Sequence, residues 1–151
     1  MKGKTQLVMI DKSKQVTTSL ILANDRLLFN GHVDGNSKIA IDYIPPIGDN
    51  LGYTSLELML LSLSSCVGTA LLVLLRRQGK VIEEFSIKSD GTRRQTHPTA
   101  FEEIHLYVSV KAQGLTPSEF EKTLSLAESI CPVWYMIKES TRIVIHHQIA
   151  N

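Results

Sequence analysis

Cysteine is scarce in this 151-residue chain: there are two, Cys66 and Cys131, with 64 residues between them. Two such residues make no disulfide framework, and neither belongs to a Cys-x-x-Cys pair. Charge of one sign is also missing. Sixteen basic side chains against fifteen acidic ones leave +1, with no single-sign block. That balance gives no electrostatic footprint for nucleic acid or for a membrane surface. The lysines near Met1 are followed by no long apolar stretch, so no secretory signal is expected and the expected compartment is the cytoplasm. In that reducing setting a cysteine pair is more often catalytic or redox-sensing than a permanent staple. There is no internal repeat and no linker.

What is present is a set of short apolar and β-branched runs separated by turn signals. Gln6–Ile10, Thr17–Leu22, Arg26–Phe29 and Ile39–Tyr43 read as strands, punctuated by Asn24-Asp25, Asn30-Gly31 and Asp34-Gly35-Asn36. Pro45 to Asn50 is a loop by composition. Thr54 and Glu57 then form a capping box that opens a helix running to Gln78, where Gly79 supplies the stop. Strand character returns at Phe85–Lys88 and Ile104–Lys111. In the second of these, Ile104, Leu106, Val108 and Val110 share one face. A second capping box, Thr116 to Glu119, opens a helix with Phe120, Leu124, Ala127 and Ile130 along one stripe. Cys131-Pro132-Val133 breaks it, a short helix follows, and Arg142–Ile149 closes the chain as a strand. The expected architecture is a single α+β domain over residues 1–151.

Leu58 to Leu75 contains eighteen residues without a charge, the lower edge of a membrane-span candidate. Serines and Gly68 interrupt it, and strands flank it on both sides. A helix that is apolar all round is equally the buried centre of a soluble fold, which is the preferred reading. One subunit of this size can hardly cover every face of such a helix, so a homodimer is expected and no membrane association.

Cys66 lies in the middle of this helix among Ser62, Ser64, Ser65, Gly68 and Thr69, which leaves room for a substrate. The plain alternative is a small buried hydrophobe. A mid-helix thiol gains nothing from the helix dipole, so a thiolate there needs help from elsewhere. Cys131 precedes a proline, which places it at or near the N-cap of the next helix, a setting that lowers a thiol pKa. That it merely fills a corner between helices is equally open. His146 and His147 alternate across the last strand without ligand spacing, so no metal is expected.

The run Ser55 to Cys66, with small residues leading into the first cysteine, resembles the central helix of the OsmC/Ohr family of organic hydroperoxide resistance proteins. Cys131-Pro132-Val133 resembles the family's second cysteine motif. Between them, Arg93 to Pro98, Phe101, Ile104 and Gly114-Leu115 resemble the joining segment. The resemblance spans about residues 25 to 149. It implies an OsmC-like fold, antiparallel sheets wrapped around long central helices in an intertwined homodimer. It also implies reduction of organic hydroperoxides by a two-cysteine mechanism, in which Cys66 attacks and Cys131 resolves. No cofactor would be bound, and an external dithiol would be the reductant. The family's peroxidases hold the thiolate with an arginine from the N-terminal half, and Arg26 is the sole arginine before Arg76. They orient that arginine with a glutamate directly after a proline. Here Glu57 stands one position later, on the opposite helix face from Cys66, and the favoured role for Glu57 is helix capping. That departure keeps a different class open: a non-enzymatic dimer that binds an apolar small molecule or senses oxidants stoichiometrically.

Overall fold

In the computed structural model of this chain, residues 12–150 are described; the strand expected at Gln6–Ile10 lies outside them. The chain divides into two compact units, one ending at Ser55 and the other beginning at Leu56.

The first unit is a three-stranded antiparallel sheet in the order β1 (Ser19–Leu22), β2 (Phe29–His32), β3 (Ile39–Ile41). The strand expected from Arg26 starts only at Phe29. The cause is a longer turn: Asn24 Oδ1 accepts from the backbone N–H groups of Arg26 and Leu28, at 3.0 and 3.1 Å. These bonds hold residues 24 to 28 out of the ladder. Among the described strands β1 stands at the edge of this sheet, and its Leu20, Ile21 and Leu22 are each more than half exposed.

The second unit holds the helices α1 (Ser55–Arg77, all but its first residue), α2 (Pro117–Ile130) and α3 (Pro132–Ile137) and the strands β4 (Ile82–Arg93), β5 (Phe101–Ala112) and β6 (Arg142–Ala150). α1 ends as Gly79 was expected to make it end. With Gly79 at φ 79°, its N–H donates to Arg76 O and the Lys80 N–H to Leu75 O, the two bonds of a Schellman cap. Leu63, Val67, Leu71 and Leu75, four residues apart, form a fully buried stripe. α1 is long and apolar enough to cross a membrane, yet that stripe packs into the core that β5 and α2 also line. Its other side is not covered: Leu61 is 52% exposed and Val73 39%. Gly68 faces β4 closely, and a Cβ there would meet Phe85 Cε1 at 3.2 Å, tighter than an ordinary contact.

β5 alternates as its pattern predicts, with Ile104, Leu106, Val108 and Val110 buried. β4 is longer than the four residues expected and pairs antiparallel with β5 along its length. The expectation of wholly antiparallel sheets fails at one place: β6 runs parallel to β5. A parallel neighbour requires a crossover connection, and α2 and α3 supply it by carrying the chain back before β6 begins. The α2 capping box is complete: Thr116 Oγ1 accepts from Glu119 N–H at 3.2 Å, and Glu119 Oε2 accepts from Thr116 N–H at 2.9 Å. Phe120, Leu124 and Ala127 are buried, whereas Ile130 at the end of the expected stripe is 54% exposed.

Candidate redox site

The crossover that makes β6 parallel also sets the position of Cys131. It is both the C-cap of α2 and the N-cap of α3, with extended backbone at φ −79° and ψ 111°. Pro132 excludes helical backbone at the preceding residue, which is why the helix breaks there. The Trp134 N–H donates to Cys131 Sγ at 3.4 Å.

Folding brings the two cysteines together. Cys131 Sγ lies 2.7 Å from Cys66 Sγ, and both are free thiols. The contact is longer than a covalent S–S bond of about 2.05 Å. Cys131 is 1% exposed, whereas Cys66 is partly accessible. An attacking group can therefore be reached at Cys66 while its neighbour stays enclosed.

The expectation that the N-cap lowers the Cys131 pKa does not hold. Burial, first, and then the hydrogen bond to Cys66 push its thiol up to about 11. The N–H groups of Trp134 and Val133 pull the other way, as an N-cap should, but are outweighed. Cys131 thus keeps its proton near neutral pH.

Arg26 lies in the first unit. Its guanidinium pairs with Asp49 and donates to Pro46 O at 2.6 Å and Ile47 O at 3.0 Å. The buried Asp42 carboxylate fastens the same loop by accepting from the N–H groups of Tyr43, Leu51 and Asp49 at 2.7, 3.0 and 3.2 Å. Its pKa is lowered, mainly by the Leu51 N–H and against the effect of burial, with smaller contributions from Tyr43, Asp49 and Arg26. Beside this loop an open cleft of about 440 Å³ is lined mostly by apolar groups, among them Leu20, Leu27, Phe29, Ile41 and Ile47. Glu57 sits in the first turn of α1, where a carboxylate suits the positive end of the helix dipole.

The alternation read for the two histidines is present. His147 faces the ring of Phe120, with centroids 5.0 Å apart, and His146 faces Tyr107 at 4.7 Å. His105 joins them, which the strand pattern alone does not announce. His105 Nδ1 is 2.8 Å from His146 Nε2, and its Nε2 is 2.6 Å from Glu103 Oε1, while Glu103 Oε2 pairs with Arg142. The hydrogen bond from His105, more than the charge of Arg142, lowers the Glu103 pKa. Glu103 and His105 are neighbours on one side of β5, two residues apart, but only the β5–β6 register, Tyr107 opposite His146, brings His146 to them. Among the described residues, no group of three or more His, Cys, Asp or Glu side chains is arranged to hold a metal ion.

A buried thiol touching an accessible one, carried on an α+β scaffold with a long central helix, defines a two-cysteine thiol protein. The sequence matches the family of OsmC-like proteins over residues 48–146, well over half its length, and the chain belongs to that family. No curated protein matches it. Solved structures share the fold. An OsmC-like protein from Mycoplasma pneumoniae superposes with a TM-score of 0.80 at 16% identity, covering 94% of this chain and 100% of that one. A hypothetical protein from Aquifex aeolicus VF5 gives 0.76 at 24% identity, over 88% and 94%. The organic hydroperoxide resistance protein OhrB of Bacillus subtilis gives 0.63 at 15% identity, over 88% and 98%.

Proposed function

We propose that this protein is a thiol-dependent reductase of organic hydroperoxides, in which Cys66 attacks and Cys131 resolves. The observation that carries this reading is the 2.7 Å contact between an accessible sulfur and a buried one. The Cys66 thiolate attacks the outer peroxide oxygen; the S–O bond forms, the O–O bond breaks, and the alcohol leaves. Cys66 is then a sulfenic acid. Cys131 displaces its hydroxyl to give the disulfide, and an external dithiol returns both thiols. The name of the Bacillus subtilis relative, an organic hydroperoxide resistance protein, supports the substrate class. Arg26 is the basic residue this reading names for the thiolate, in a protein placed in the cytoplasm with no bound cofactor or metal. Glu57 is given no part beyond its helix.

The test is peroxide consumption under several dithiols. Sustained turnover, many peroxides per chain, is expected. Consumption that stops at one equivalent would instead favour a stoichiometric sensor, and none at all would favour a binding protein. The apolar cleft of the first unit is what recommends this last class.

The reading includes an intertwined homodimer. Its support is the exposed apolar side of α1 at Leu61 and Val73. Exposed apolar helix faces of this kind call for a partner. Sedimentation at micromolar concentration is expected to give about twice the 16.8 kDa chain mass, and a stable monomer would remove this part of the proposal.

A further inference from the structure

The two sulfurs differ in what can reach them. Cys131 is 1% exposed, and its sulfur is closed in by Cys66 Sγ at 2.7 Å and by the Trp134 N–H of α3 at 3.4 Å. Cys66 is half-buried and keeps an accessible part. Closing the 2.7 Å contact to a disulfide bond of about 2.05 Å is too small a movement to exchange these settings.

Displacement at sulfur runs in line: the incoming nucleophile and the leaving group stand on opposite sides of the sulfur attacked. In resolution Cys131 occupies one side of Cys66 Sγ, so the hydroxide leaves on the other. A thiolate that later attacks Cys66 in the disulfide must come from that same side, because Cys131 is again the group across from it. Attack on Cys131 Sγ would instead need an approach through a residue that is 1% exposed. Leaving ability argues the other way. Burial raises the Cys131 pKa and makes it the poorer leaving group, which would favour attack on Cys131 if both sulfurs were reachable. Only Cys66 is, and access decides.

We propose that the reductant of this disulfide attacks Cys66 and not Cys131, through the opening beside Cys66 that also admits the peroxide. This rests on the two-cysteine reading and assigns the reductant's point of entry. A thiolate of the external dithiol bonds to Cys66 Sγ, the Cys66–Cys131 bond breaks, and Cys131 leaves as a thiolate that takes a proton from water. The reductant's second thiolate then attacks the reductant's first sulfur and releases Cys66. One disulfide and one dithiol become two thiols and one disulfide. On α1 the opening is bordered by Ser62, which is exposed and one turn before Cys66. Helical side chains lean toward the preceding turn, which brings the Cys66 sulfur toward Ser62. A second copy laid over α1 would narrow this opening but could not uncover Cys131.

The experiment uses the whole chain, oxidised to the internal disulfide with diamide. The native disulfide is treated briefly with excess glutathione, a monothiol, quenched in acid and mapped by peptide mass without reduction. The glutathione adduct is expected on Cys66, in excess over Cys131 by about tenfold or more. In urea, where burial is lost, it is expected on both. An adduct on Cys131, or one divided equally in the native protein, would overturn the proposal, as would failure of diamide to close the internal disulfide. Ser62→Leu enlarges a side chain at the opening and leaves both cysteines in place. It is expected to slow glutathione attack on the disulfide and iodoacetamide alkylation of reduced Cys66 alike, each by about threefold or more. Slowing of one alone, or of neither, would overturn the shared opening. No arm uses peroxide, so absence of peroxide turnover would sink the proposed function without deciding this test.

Discussion

Cys66→Ser is expected to leave the protein inert toward organic hydroperoxide, with no disulfide, no sulfenic acid and no consumption above the buffer rate. Serine keeps the size and position of the side chain, so α1 and its buried stripe should be undisturbed. What it removes is the sulfur nucleophile. Cys131 cannot take over. It is 1% exposed, and the burial that is the first cause of its raised pKa remains in the variant, so it is neither reachable nor readily ionised. The complementary variant should behave differently. Cys131→Ser should still react once at Cys66 and stop at the sulfenic acid, which excess peroxide carries on to sulfinic acid. Rapid oxidation of Cys66→Ser together with an inert Cys131→Ser would exchange the two roles.

Phe120→Ala has the largest expected effect on stability. Phe120 is fully buried on α2, and its ring lies against His147 of β6, with centroids 5.0 Å apart. Its removal leaves a cavity between the helix and the strand that the crossover joins, and truncations of this kind cost about 3–5 kcal/mol. Against a typical total of about 5–15 kcal/mol, the loss is a large part of the fold's stability. It should appear as a lower urea midpoint at unchanged slope. Because α2 ends at Cys131, the same variant is expected to form the Cys66–Cys131 disulfide more slowly. A loss below about 1 kcal/mol would mean that the core closes without Phe120, since only volume-conserving changes are usually tolerated so cheaply.

The parts of this protein legible in its sequence are those set by local chemistry. Gly79 ends α1 because a residue at positive φ is required there, and Thr116 with Glu119 opens α2 because each side chain bonds the other's backbone. The alternation of β5 and the break at Cys131-Pro132 are of the same kind. What could not be read depends on partners far along the chain. The parallel direction of β6 follows from the crossover, and the meeting of His146 with His105 follows from that direction. The Cys131 pKa shows the same division. The N-cap contribution, which the proline announces, is present and lowers it. Burial and the neighbouring sulfur, which only the tertiary fold supplies, raise it further than the cap lowers it. Both cysteines stand out in the sequence, and their contact is the part of the site the fold adds. Arg26, named from the same resemblance, is fastened to Asp49 and to the loop carbonyls of its own unit.

The measurement closest to the central claim treats reduced wild-type protein with one equivalent of an organic hydroperoxide, followed by peptide mass mapping without reduction. The account predicts a single product, an intramolecular disulfide between Cys66 and Cys131, formed in proportion to the peroxide added. It is expected because the two sulfurs are already 2.7 Å apart. Scattered oxidation of methionines and cysteines with no internal disulfide, or a disulfide between chains, would contradict it.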